Sequence, residues 1–445
     1  MTNAATEQVS AKTLRKVIVA AGIGNFVEWF DFAVYGFLAT TIAQQFFPSG
    51  DASAALLKTF AVFAVAFAFR PLGGIFFGML GDRIGRKRTL AITILLMAAA
   101  TTLIGLLPTY AAIGVMAPVL LSLIRCAQGF SAGGEYAGAC AYLMEHAPSD
   151  KRAWYGSFIP VSTFSAFAAA AVVAYALEAS LSAEAMGSWG WRLPFLVAAP
   201  LGLVGLYLRW KLDETPAFQA VTQDHAVAHS PLKETLRNHG AAICCLGAFV
   251  SLTALSFYMF TTYFATYLQV AGGLTRATAL LVSLIALLFA AAICPLAGLY
   301  SDRVGRRMTV VTACVLLIVV VYPSFLMASS GSFAASIVGV MLLAIGAVLC
   351  GVVTAALLSE TFPTRTRYTA SAITYNMAYT LFGGTAPLVA TWLISTTGSN
   401  LSPAFYLIAV ALLALAGGLA LPETSRISLH DIAPRNKGAG VSATA

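Results

Sequence analysis

Apolar positions along this chain gather into twelve long runs separated by polar breaks. The runs cover roughly residues 17–43, 55–80, 89–107, 114–144, 154–179, 192–210, 240–268, 277–300, 309–328, 333–358, 369–395 and 402–421. A helix needs about 20 mostly apolar residues to cross about 30 Å of hydrocarbon. The pattern therefore predicts an all-α integral membrane protein with twelve transmembrane helices. One connection stands apart, because residues 211–239 are both long and polar. It divides the chain into a six-helix bundle (1–210), a linker (211–239), a second six-helix bundle (240–421) and a tail (422–445). The first run follows Lys12, Arg15 and Lys16, as a signal peptide would, but it contains Glu28 and Asp31 and extends past Phe37. It reads as a retained first span.

Composition agrees with the pattern. The chain is 59% hydrophobic and 10% charged, too poor in charge to cover a water-facing surface. Its environment is the lipid bilayer. A net charge of +8 need not imply nucleic acid, because basic residues collect at the cytoplasmic ends of spans. The tails and the loops after even-numbered runs hold 21 of the 26 Lys and Arg, whereas Lys58, Arg192 and Arg276 fall on the other side. This bias predicts that both termini are cytoplasmic. The seven cysteines lie in apolar runs without ligand spacing, and His225 and His229 have no third ligand nearby. No metal is expected, and no cofactor beyond the proton as a coupling ion.

The polar breaks repeat. GMLGDRIGRKRTL (78–90) returns as GLYSDRVGRRMTV (298–310), MEHAPSDKR (144–152) as SETFPTRTR (359–367), and LDETP (212–216) as LPETS (421–425). Each pair sits at matching places in the two halves, so the bundles are pseudo-symmetric. Parallel halves of this kind are a transporter design with the substrate site near the midplane. In the repeated loops Gly85 and Gly305 permit the tight turn. Asp82, Arg83 and Arg86, with Asp302, Arg303 and Arg306, can latch neighbouring helices. A latch present in one of two conformations biases the equilibrium between them.

The first of these loops resembles the signature of the major facilitator superfamily. With GNFVEWFDFAVYGF (24–37), RPLGGIFFGMLGDRIGRK (70–87), RCAQGFSAGGEYAG (125–138), WGWRLPF (189–195) and LDETPAF (212–218), the chain resembles that superfamily's metabolite:proton symporters. These include α-ketoglutarate, citrate, shikimate and proline/betaine carriers. The resemblance implies the major facilitator fold, alternating access, and a cavity lined by the first and fourth helices.

Five ionisable residues fall inside runs: Glu28, Asp31, Arg70, Arg125 and Glu135. Each costs about 2.5–3.5 kcal/mol at a span's centre on insertion scales, so they are expected to face the bundle interior and one another. Three acids against two arginines leave a surplus negative charge that one proton removes. Asp31 is the expected proton carrier with Arg125 as its switching partner, and Glu135 is second in line. Glu28 is a third proton-coupling candidate, although it can also form a structural pair with Arg70.

The second half offers rings, hydroxyls and an amide instead: Tyr258, Tyr263, Tyr375, Asn376 and Tyr379. Of these, Tyr258, Tyr263, Asn376 and Tyr379, with Trp29 and Arg125, are the candidate substrate contacts. Arginine grips carboxylate in bidentate fashion, which favours a small organic acid. The alternative is a zwitterionic osmolyte held by aromatic faces or an acid. Neither a nucleophile–base set nor a nucleotide loop is evident, so the expectation is a monomeric proton-coupled carrier rather than an enzyme.

Overall fold

The computed structural model describes residues 11–48, 52–211, 214, 231–425, 427 and 429, and these residues are helical throughout apart from short connections. His225, His229 and most of the predicted tail lie outside them. In the first half the principal helices are α1 (Ala11–Phe37), α2 (Ala52–Ile84), α3 (Arg86–Leu106), α4 (Met116–His146), α5 (Phe158–Ser180) and α6 (Ala198–Trp210). In the second they are α7 (Pro231–Tyr258), α8 (Arg276–Val304), α9 (Arg306–Ala328), α10 (Phe333–Glu360), α11 (Arg367–Ala378) and α12 (Ser402–Leu419). Helices α7 and α11 continue past π turns, at Met259–Tyr263 and Tyr379–Gly383, into Phe264–Val270 and Ala386–Thr397.

Eleven of these segments are long and apolar enough to cross a membrane by themselves. The twelfth, α4, is 31 residues long, about 46 Å at 1.5 Å per residue, but Arg125, Glu135 and Glu145 lower its hydropathy. It can afford them because it runs through the middle of its bundle, packed on α2 and α3. Contact with α2 is close. A Cβ on Gly73, Gly129 or Gly133 would strike the backbone of the facing helix at Phe130, Ala66 or Arg70. Small residues thus set the helix spacing where no hydrophobic force distinguishes helix from lipid. The outer surface is oily: Leu72, Leu103, Leu123, Leu203, Leu296, Val319 and Leu388 are all at least half exposed, as side chains facing acyl chains should be.

The predicted linker ends early. Helix α7 begins at Pro231, with Glu234 in its first turn, so its first turns stand outside the apolar run. Proline at a helix start and an acid facing the helix dipole both favour that extension.

The two bundles meet mainly through α2 against α11 and α5 against α8, with α4 touching α10 and α11. Much of this contact lies near the face that carries the Gly85 and Gly305 loops, called here the basic face.

Candidate functional site

On the basic face each glycine loop builds the same device. Gly85 (φ 100°) and Gly305 (φ 93°) adopt a backbone conformation that a side chain would strain. They turn α2 into α3 and α8 into α9. One residue cluster earlier, Asp82 accepts the backbone N–H groups of Tyr368 (3.2 Å) and Thr369 (2.9 Å), at the start of α11 in the other bundle. Asp302 accepts those of Ala153 (3.0 Å) and Trp154 (2.8 Å), just before α5. Each aspartate therefore satisfies N–H groups that a helix start leaves without intrahelical partners, and each joins the two bundles.

Arg86 pairs with Asp82 (3.3 Å) and Glu145 (3.4 Å) and donates to the Thr364 carbonyl at 2.7 Å. Arg306 pairs with Asp302 (2.9 Å) and Glu360 (2.9 Å). Glu145 also holds Arg367 at 2.7 Å across the interface. Glu214 accepts from the backbone of Arg86 and Lys87, and Glu423 from Arg306 and Arg307. The sequence repeats contained Glu145 with Glu360 and Glu214 with Glu423, but spacing alone did not reveal that they complete the latches. Arg83 and Arg303 point outward and are exposed; they supply surface charge next to the latch.

Within the first bundle the five predicted ions all face inward, at 3% exposure or less. They divide into separate groups. Glu28 Oε1 lies 3.0 Å from Arg70 Nη2. Asp31 Oδ2 accepts from Arg125 Nη1 (3.2 Å) and Gln128 Nε2 (2.7 Å), and Gln128 also donates to Thr101. The Arg125 guanidinium sits 4.2 Å from the centre of the Tyr35 ring. Glu135 accepts a hydrogen bond from Thr93. Gln128 escaped the sequence reading, although it lies three residues after Arg125 and so on the same helix face.

Between the bundles lies a small cavity. Trp29 of α1, Tyr136 of α4 and Thr163 with Phe164 of α5 line one side. Thr253 with Phe257 of α7, Gly351 of α10 and Tyr375 with Tyr379 of α11 line the other. Tyr136, Tyr375 and Tyr379 stack across the interface, with centroids 4.2 and 4.0 Å apart. Trp29 meets Phe257 edge-on at 5.0 Å and is oriented by its N–H bond to Asn25 (3.1 Å). The wall is rings, hydroxyls and small aliphatic groups, with no charged side chain.

This placement corrects several expectations about substrate contacts. Trp29 and Tyr379 line the cavity. Tyr258 stands just behind them, 6.4 Å from Trp29 and 6.1 Å from Tyr379. Arg125 does not line it, because Asp31, Gln128 and the Tyr35 ring hold it inside the first bundle. Asn376 does not either. Its amide is spent on the carbonyls of Gly133 (2.6 Å) and Ala372 (2.8 Å) and on Arg70 Nε (3.3 Å), so it serves as an interface rivet. Tyr263 lies in the π turn of α7 and packs toward Tyr267. Tyr136, Phe164 and Phe257 were missed, since nothing in the sequence separates a cavity ring from a packing ring.

Two six-helix bundles, joined by paired latches on one face and enclosing a cavity at their interface, define a secondary carrier of the alternating-access type. The chain belongs to the Major Facilitator Superfamily, whose model matches residues 21–387 and 295–442. It is 38% identical over 431 residues to a proline/betaine transporter of Salmonella typhimurium, covering 95% of this chain and 86% of that one. The same identity and coverage relate it to a glycine betaine/proline/ectoine/pipecolic acid transporter of Dickeya dadantii. An ectoine/proline transporter of Corynebacterium glutamicum is 37% identical over 432 residues, 94% of this chain and 86% of that one. Among solved structures, the proton:xylose symporter XylE superposes with a TM-score of 0.77 at 18% identity, over 95% of this chain and 98% of that one. That likeness concerns the fold.

Proposed function

We propose that this protein is a proton-coupled carrier that takes up a small zwitterionic osmolyte of the betaine or proline kind. It would work as a monomer in a bacterial inner membrane, with its basic face and both termini toward the cytoplasm. The observation that carries the reading is the uncharged, ring-lined cavity between the bundles. A di- or tricarboxylate there would bring two or three negative charges against a wall with no cation and a single arginine, Arg70, behind it, and burying the uncompensated remainder is prohibitive. A zwitterion is net neutral. Its ammonium is attracted by ring faces, worth about 0.5–2 kcal/mol per good contact. The relatives' names point the same way. The organic acid expected from the sequence gives way on both counts, since Arg125, the residue chosen to grip it, is engaged by Asp31.

Reconstitution in liposomes tests this. An imposed inward proton gradient should drive accumulation of labelled glycine betaine or proline, a protonophore should abolish it, and excess citrate or α-ketoglutarate should not compete. Gradient-driven accumulation of a dicarboxylate without any betaine or proline uptake would overturn the reading.

A further inference from the structure

The central cavity accounts for the substrate's ammonium and leaves its carboxylate without a receptor. Several buried donors at and behind the cavity wall lack a hydrogen-bond partner, among them the Tyr375 hydroxyl. Arg70 is fully buried, yet its Nη1 makes no hydrogen bond, and the same holds for the hydroxyl of Tyr258. Both stand behind the same ring: the Arg70 guanidinium is 5.6 Å from the centre of Trp29, and Tyr258 is 6.4 Å from it on the side of the second bundle. Arg70 is also fastened to the second bundle through Asn376 Oδ1, next to Tyr375, which lines the cavity. Leaving such donors unsatisfied is costly, the more so for a charged group. Unsatisfied buried donors in a native fold call for a functional explanation.

We propose that Arg70 and Tyr258 receive the substrate's carboxylate, and that its arrival displaces Glu28 from Arg70, so that Glu28 takes up the transported proton. The inference rests on the zwitterion reading above and assigns its coupling site. Before binding, Arg70 is balanced by Glu28 at 3.0 Å. A carboxylate entering past Trp29 offers Arg70 a second anion. Two carboxylates on one guanidinium, inside low dielectric, leave one negative charge in excess, and a proton on Glu28 removes it. Arg70 on α2 is the cation of Glu28, and the other titratable groups facing it are Glu135 on α4, Asp31 on its own helix and Tyr258 on α7. The charges balance at each stage. The bound state holds Arg70 as a cation against the substrate carboxylate, Glu28 neutral, and the ammonium against the rings. Each cycle then moves one substrate and one proton, and with them one positive charge.

The sequence-based expectation put Asp31 with Arg125 first, ahead of Glu135 and Glu28. Neither Asp31 nor Arg125 lines the cavity, and Gln128, itself bonded to Thr101, holds Asp31 within the bundle.

The test is calorimetry of glycine betaine binding to the purified full chain, in two buffers of different ionisation enthalpy at mildly alkaline pH. The difference in heat reports protons taken up on binding. The wild type should take up about one proton per betaine, and choline, which has the ammonium without the carboxylate, should take up none. Glu28→Gln should still bind betaine, with proton uptake abolished and affinity flat with pH, while Asp31→Asn retains uptake. Tyr258→Phe, a mild change that preserves packing, should lose roughly three- to tenfold in betaine affinity and leave choline unaffected. Proton uptake that persists in Glu28→Gln, or disappears in Asp31→Asn alone, would overturn the assignment. Failure of the wild type to bind betaine or proline at all would instead overturn the zwitterion reading.

Discussion

Trp29 is where chemistry and packing meet most closely. Its indole N–H is anchored to Asn25, whose amide in turn bonds Thr163 at 2.7 Å and Ser162 at 2.8 Å on α5. The ring is therefore held with one face to the cavity. Trp29→Ala removes that face and should raise the betaine KM by roughly tenfold, within the about 0.5–2 kcal/mol range of a cation–ring contact. Trp29→Phe keeps a ring, loses the anchor and should cost only a few-fold. Uptake kinetics with both variants decide the matter, and an unchanged KM for the alanine variant would remove the ring from the site. At this scale the sequence was partly legible. An ionisable residue in an apolar run advertises burial, so Glu28, Asp31, Arg70, Arg125 and Glu135 could all be found. Which of them faces the interface could not, because a one-helix pattern gives a depth and a face but not the neighbour on that face. Arg70 and Arg125 look alike in sequence. Only the packing of α11 against α2 brings Asn376 and the second bundle to Arg70.

Elements carry the symmetry. The turn from α2 to α3 and the turn from α8 to α9 use the same glycine geometry, the same helix-capping aspartate and the same arginine between two acids. The repeats in the sequence were enough to predict two latches, and to place them at equivalent points in the two halves. What they latched was hidden, since the partners of Asp82 are backbone groups more than 280 residues away. The end of α12 repeats the lesson. The desolvation of the exposed Glu423 carboxyl on docking would raise its pKa, but the backbone N–H groups of Arg306, Ser425 and Arg307 outweigh it and hold the carboxyl below the usual glutamate range. A depressed acid contributes stability that is present above its unfolded pKa and is lost as pH falls through the folded one. The wild type should therefore lose its stability advantage over Glu423→Gln on acidification below the usual glutamate range, as thermal unfolding in detergent at several pH values would read. An advantage that grows on acidification would contradict the capping role. The π turns belong to the same scale. They interrupt α7 and α11 beside Tyr258 and Tyr379, and the Thr380 hydroxyl donates to the Phe67 carbonyl of α2 at 2.9 Å. Such turns recur at functional sites because they offset the helix by one residue without breaking it. Nothing in the apolar pattern predicted them.

For the whole molecule, the latches stand where they can bias which way the cavity opens, because they join the two bundles on one face only. Asp82 and Asp302 each hold two backbone N–H groups of the opposite bundle, and Glu145 holds Arg367 across the same face. A hydrogen bond to a charged group is worth about 1.5–3 kcal/mol, so neutralising both aspartates removes several kcal/mol from the conformation closed on the basic face. A shift of about 5.5 kcal/mol takes a two-state equilibrium from 1:99 to 99:1. The double variant Asp82→Asn with Asp302→Asn should therefore populate the conformation open on the basic face, even without substrate. The protein contains its own reporters. Cys140, one turn from Tyr136, and Cys350, beside Gly351, are fully buried here, whereas Cys244 is exposed and Cys126 and Cys245 are partly so. With the last three replaced by serine, a water-soluble maleimide should label Cys140 or Cys350 several-fold faster in the double variant than in the wild type. Peptide mass spectrometry would assign the site. Each single variant should fall between, because either latch alone still joins the bundles. Equal labelling rates in all four proteins would mean that the aspartates cap helices without choosing between conformations, and the symmetry of the two loops would then belong to folding rather than to transport.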